Sequence, residues 1–369
     1  MYSKSTYFLW FVLVVFVGTA LRSFFVFHLS IPLDFQNLVH SHSHTAFFAW
    51  VMTSLPYLYL HYFPFKEELK SKFNLYIIFT HILSLLAIIA FAVSGYNFFS
   101  ILLSVLFVFN WYFLIYIFYK YVEFKDRINK IPLYFLGIST LATWLLPILI
   151  ITNNNEGLFK DLSINFFLNN FAEAWLIGSI LVLMQIRKEI NFNNLTFYTY
   201  IILSFILTLK ASILSFNDEV VLLIKILSFI FGLLHIVLYI QMDKKNYILK
   251  ILGFLLLVKG VIEMAIIIPE LVDLANNRIF IITYLHIKLL GFSSIYLIYN
   301  LFENKNLKEL IVPILFFLLM LIIQSLTQLI SYFDLFTINN YWFEFIHIVI
   351  FISSVLVLLS ALKFYLNNR

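Results

Sequence analysis

The chain has 369 residues, of which 63% are hydrophobic, 20% aromatic and only 12% charged, with a formal net charge of +5. A soluble domain carries roughly 25% charged residues and could not hide this much apolar surface, so the composition excludes a soluble globular protein and implies a polytopic helical membrane protein. Cysteine is absent, which excludes disulfides, zinc–thiolate sites, iron–sulfur clusters and thioether-linked haem.

Hydropathy predicts an all-α bundle of about twelve transmembrane helices in a single membrane domain, residues 1–369. The first span, 7–29, has no small-residue cleavage site at a suitable position and reads as a retained helix. It carries Arg22. The second, 44–63, opens on His40-Ser-His42-Ser-His44 and runs on through Trp50. Spans 74–94, 97–119 and 132–151 follow, with short connections. The sixth, 164–186, contains the segment NNFAEAWLIG, in which Asn169 and Glu173 are four apart and form a polar strip on one face. Spans 196–215 and 220–241 come next. The ninth, 247–268, holds Lys259 and Glu263, whose spacing allows an intrahelical ion pair or a proton or ion path. The tenth, 279–302, contains Tyr284-Leu-His286 and Lys288. The last two are 309–332 and 342–366, the latter with Glu344 and His347. No internal sequence repeat is visible.

With these spans, one side of the membrane holds both termini and the links after the even spans. That side carries seventeen lysines and arginines, among them Lys66, Lys70, Lys72, Lys244 and Lys245, whereas the other carries Lys160 and Arg278. The positive-inside rule then places both termini in the cytoplasm, in a cell inner membrane. The net charge follows from this topology and gives no reason to invoke nucleic acid.

Ionisable groups inside a bilayer are costly and default to a functional reading. Even spans start at the outer face, so His44 and His286 fall at similar depth on two different helices. Neutral imidazoles at matched depth are suited to hold one iron between them. The alternative is that each histidine bonds a neighbouring helix or a carbonyl. His40 shares a helix face with His44, whereas His42 points elsewhere and reads as solvated. His347, on the outer side of the last span, is a competing ligand, and His40 is a further one. His81 and His235 fall nearer the inner side, and His28 and His61 read as interfacial anchors.

At this point the pattern resembles subunit I of the haem–copper oxidase superfamily, which includes the nitric oxide reductases. The resemblance rests on twelve helices, His44 in His-Thr-Ala-Phe-Phe-Ala-Trp, and His286 in Tyr284-Leu-His286. It implies one low-spin haem b held by His44 and His286; Trp50 would then supply part of an apolar wall, and Arg22 or Arg278 could neutralise the propionates, with snorkelling to the interface as the alternative for both. The departures are equally specific. Tyr284 stands where that family has the high-spin haem ligand, Glu173 is near the place of a copper-ligating histidine, and spans 6 and 7 contain no histidine. The segment SYFDLFTINN supplies no arginine for propionates. The resemblance therefore implies no copper and argues against oxygen reduction, leaving electron transfer or binding or sensing of a diatomic gas. Whether the chain is an enzyme stays open at this level. If it is one, it is an oxidoreductase, with redox partners or other subunits beside the lipid. A second class is a cofactor-free transporter or channel using the intramembrane His, Glu and Lys residues, and a third is an assembly subunit with a degenerate site. The charge bias predicts that a reporter fused after Arg369 is active in the cytoplasm and silent when only periplasmic activity is read. Periplasmic activity would overturn the topology.

Overall fold

The computed structural model describes residues 3–27, 33–151, 158–208, 218–244, 246–268, 271, 277–303, 305–333 and 340–368. His28, Lys210, Arg369 and most of the segment SYFDLFTINN lie outside the described residues. Among the described residues there is no strand beyond isolated bridges, and eight helices are long and apolar enough to cross a membrane. The helical rods are α1 (Lys4–Phe27), α2 (35–62), α3 (Glu68–Ser94), α4 (Phe98–Tyr121), α5 (Ile131–Ile151) and α6 (158–186). They continue with α7 (Asn194–Ile206), α8 (Asp218–Gln241), α9 (Tyr247–Ala265), α10 (278–301), α11 (Lys308–Tyr332) and α12 (Asn340–Asn367).

Apolar side chains remain exposed along whole helix faces, such as Leu85, Ile89 and Val93 on α3 and Leu222, Leu223 and Ile226 on α8. Water would not tolerate such faces, and lipid satisfies them. Helix starts are set by side-chain caps: Asp34 accepts from the Asn37 amide at 3.0 Å, and Asn193 from the Thr196 amide at 2.8 Å. Gly95, with φ 57°, ends α3 in a conformation that other residues adopt with strain.

The chain packs as two compact units: Met1–His61, Glu67–Ile117 and Leu297–Arg369 form the first, and Tyr62–Lys66 with Phe118–Tyr296 the second. In the first unit Phe8 lies edge-on to Trp50, Phe302 and Phe364, with centroids 6.3, 5.4 and 5.4 Å away. Ser5 Oγ donates to the Asn368 carbonyl at 2.5 Å, so the start of α1 and the end of α12 meet at one end of this unit. Pro56 has no N–H to give the Met52 carbonyl inside α2, and the Tyr76 hydroxyl of α3 donates to that carbonyl at 2.7 Å instead. In the second unit, Phe65 bridges to Val122 and Ile190 to Met242, pairing the links after α2 and α4 and those after α6 and α8.

Among the described residues three rods contain π-helical segments: Thr45–Val51 in α2, Asn170–Ile177 in α6 and Ile287–Ser294 in α10. The i→i+5 pattern inserts one residue and turns the following side chains by about 100° relative to an α-helix. Hydroxyls follow the same spacing: Ser293 Oγ donates to the Lys288 carbonyl at 2.9 Å and Ser294 Oγ to the Leu289 carbonyl at 2.8 Å.

Helices α8 and α9 cross at a pair of glycines. A Cβ on Gly260 would stand 2.8 Å from the Gly232 carbonyl and 3.0 Å from His235 Cβ. This close approach is what lets His235 reach Lys259 on the facing helix. Gly260→Ala should therefore cost about 1–3 kcal/mol by overpacking, read as a lower thermal unfolding temperature in detergent. An unchanged temperature would mean that the crossing is not tight.

Candidate intramembrane charge site

The second unit gathers a buried polar cluster from five helices. At its centre is Glu173, inside the π segment of α6 and 3% exposed. Lys288 Nζ, from the π segment of α10, donates to Glu173 Oε1 at 2.9 Å. Lys259 Nζ, from α9, lies 3.2 Å from Glu173 Oε2. The Tyr200 hydroxyl of α7 donates to Oε2 at 2.9 Å, and the Tyr284 hydroxyl of α10 to Oε1 at 3.4 Å. An ionised carboxylate has about four acceptor positions; the two lysines and Tyr200 supply hydrogens to three of them, while the single Tyr284 hydrogen is divided between this carboxylate and a nearer one.

The cluster extends to a second carboxylate. Tyr284 also donates to Glu263 Oε1, and Ser228 Oγ of α8 donates to Glu263 Oε2 at 3.1 Å. On the other flank, Lys259 Nζ is 2.6 Å from His235 Nε2, while His235 Nδ1 is 2.7 Å from the Phe231 carbonyl. A carbonyl only accepts, so Nδ1 carries the hydrogen; an ammonium only donates, so Nε2 presents its lone pair. His235 is thus held as the neutral Nδ1–H tautomer. Two carboxylates, two ammoniums and a neutral imidazole sum to zero charge. The aromatic rings add to this: Lys259 Nζ is 4.8 Å from the Phe231 ring centroid and Lys288 Nζ 5.0 Å from that of Tyr284.

Several sequence expectations change here. Lys259 reaches across to Glu173 and His235 on other helices rather than serving only its helix neighbour Glu263. His235, placed by depth away from the level of His44 and His286, joins this cluster through the lysine stem. Asn169 does not share a strip with Glu173: it donates to the Leu207 carbonyl at 3.2 Å, since the π segment begins at the next residue and shifts the faces. Glu173 and Tyr284, two of the positions at which the oxidase resemblance lacks metal ligands, meet in this cluster. Among the described residues no group of three or more His, Asp or Glu converges to hold a metal.

The proposed haem residues lie elsewhere. His44 belongs to the first unit and His286 to the second. Each is the last α-helical residue before a π segment, and each Nδ1 binds the carbonyl four residues back, His40 at 2.8 Å and Ile282 at 2.7 Å. This sets the tautomer that a metal-binding imidazole needs. The donor chemistry fits a haem iron at His44, but the Tyr96 hydroxyl stands 3.5 Å from its Nε2 and would have to give way. The His44 ring stacks on Phe91 with centroids 3.8 Å apart, and His40 meets the Tyr96 ring at 4.6 Å. His42 is not solvated: its ring lies against Gly18, and Nδ1 is 3.1 Å from the Val14 carbonyl of α1. Trp50 is buried beside Phe11 at 5.3 Å, Arg22 lies 6.0 Å over Phe317, and His347 stacks on Phe25 at 5.2 Å. Comparison with known proteins finds no protein family that the chain matches and no curated relative.

Hydrogen bonds to charged groups contribute about 1.5–3 kcal/mol, so Tyr200→Phe should lower stability by that amount. Tyr284→Phe should cost a similar amount, because its one hydrogen goes to the nearer carboxylate, Glu263. Equal and negligible losses in thermal unfolding would show that the hydroxyls do not bind the carboxylates.

Proposed function

We propose that the chain is a cofactor-free, proton-coupled transporter of a cell inner membrane, with twelve transmembrane helices and cytoplasmic termini, and that Glu173 is its proton-exchanging carboxylate. The observation that carries this is one fully enclosed carboxylate shared by two lysines from two other helices. Ionisable groups in membrane-buried positions mark ion pathways and proton relays. Transporter sites also lie where helices depart from regular α geometry, as α6 and α10 do at Glu173 and Lys288. A purely structural role is a weaker account, because a buried ion pair gains little over well-packed apolar residues. The paired links within the second unit and the meeting of the two chain ends in the first agree with an even number of crossings.

A second reading keeps a low-spin haem b on His44 and His286 for electron transfer or gas binding. It is supported by the matched Nδ1–carbonyl bonds and by the position of both histidines at the start of π segments. When bound, the haem would supply a one-electron redox centre; the chain's own part would be to orient the two imidazoles. A reduced-minus-oxidised visible spectrum separates the two readings.

The proton-exchange reading predicts that infrared titration of the purified protein shows one buried carboxyl gaining and losing a proton without unfolding. That band should vanish in Glu173→Gln. A titration with no band assignable to Glu173 would leave the cluster structural and overturn the reading.

A further inference from the structure

Among the described residues, the groups that reach the Glu173 carboxylate are donors: the ammoniums of Lys259 and Lys288 and the hydroxyls of Tyr200 and Tyr284. The cage therefore has the charge and shape preference of a carboxylate receptor, and Glu173 fills it as an internal occupant. A cation finds no comparable place at this carboxylate, because two ammoniums and the Tyr200 hydroxyl already face its two oxygens.

Charge balance restricts what can replace Glu173 there. The cluster sums to zero as it stands, and a net charge this deeply enclosed is costly. If a proton neutralises Glu173, the cage is left with one excess positive charge. Entry of one monovalent anion restores the balance and refills the donors. The protonated Glu173 then needs an acceptor for its new O–H. Asn170, three residues earlier on the same π segment and 0% exposed, has an Oδ1 with no hydrogen-bond partner among the described residues. Its Nδ2 is already committed to the Phe166 carbonyl at 2.8 Å. The other titratable groups facing Glu173 are those of α7 to α10 already named, Tyr200, His235, Lys259, Glu263, Tyr284 and Lys288. Helix α5, which also packs on this segment, contains no charged residue.

We infer that the Glu173 cage is the binding site of a small planar monovalent oxyanion, a carboxylate or its equal in shape, carried together with one proton. This rests on Glu173 exchanging protons. In the loading step the proton adds to a Glu173 carboxylate oxygen, and the anion takes over the donors of Lys259, Lys288, Tyr200 and Tyr284. Unloading reverses both, so one proton and one anion move with no net charge.

The test uses the full chain in liposomes holding a trapped pH dye, with nitrate and formate as probes. Nitrate is decisive because its conjugate acid is too strong to carry protons across lipid by itself. An inward nitrate gradient at equal pH should acidify the interior in a way that protein-free liposomes lack, and an imposed membrane potential should not alter it. Chloride, spherical, and sulfate, divalent, should fail. Lys288→Met should abolish the signal, and Glu173→Gln should pass nitrate without protons and in response to potential. Should either variant fail to fold, the wild type still decides: nitrate must shift the Glu173 carboxyl absorption in the infrared. If Glu173 exchanges protons but nitrate and formate give neither acidification nor that shift, the anion site is wrong and proton exchange stands. If Glu173 does not exchange protons, both fall.

Discussion

The second unit is organised around one electrostatic constraint: a carboxylate enclosed in a low-dielectric interior has to be neutralised where it stands. Glu173 is only 3% exposed, and four helices besides its own converge on it with ammoniums, hydroxyls and, through Lys259, an imidazole. Each convergence has a local cause. The π segments of α6 and α10 turn Glu173 and Lys288 toward each other, and the Gly232–Gly260 crossing brings α8 against α9 so that His235 meets Lys259. Remove the constraint and these local departures from regular packing have no compensation.

The same constraint separates structural from functional accounts. A cluster meant only to hold helices together is better built from apolar side chains, which incur no desolvation cost. The cluster instead holds a carboxylate with donors on both oxygens, a neutral imidazole on a lysine and, on Asn170, an amide oxygen with no hydrogen-bond partner among the described residues.

Much of the fold was legible in the sequence. Long apolar runs with few charges fixed the helical class, because lipid leaves the backbone no other way to satisfy its hydrogen bonds. Of the site, the residue types were visible but their grouping was not. Glu173, Lys259, Glu263 and Lys288 stood out as charges within apolar runs. Helical spacing paired Lys259 with Glu263 and Asn169 with Glu173, whereas the structure connects Glu173 to α7, α9 and α10. Two things defeated the periodicity. A π segment has no composition signature in a single sequence, and it changes the face on which Glu173 and Lys288 emerge. A lysine stem spans more than a helical turn, so His235 belongs to a site that its own depth placed elsewhere.

The enclosed ion pair is tested most directly by a double-mutant cycle between Glu173 and Lys288, read by thermal unfolding in detergent. Removing one partner of a buried pair strands the other, at a cost of about 3–5 kcal/mol. Glu173→Gln and Lys288→Met should each show such a loss, and the double variant should recover most of it, because the stranded charge is gone. Losses that simply add in the double variant would contradict a closed, charge-balanced cluster at the centre of this unit.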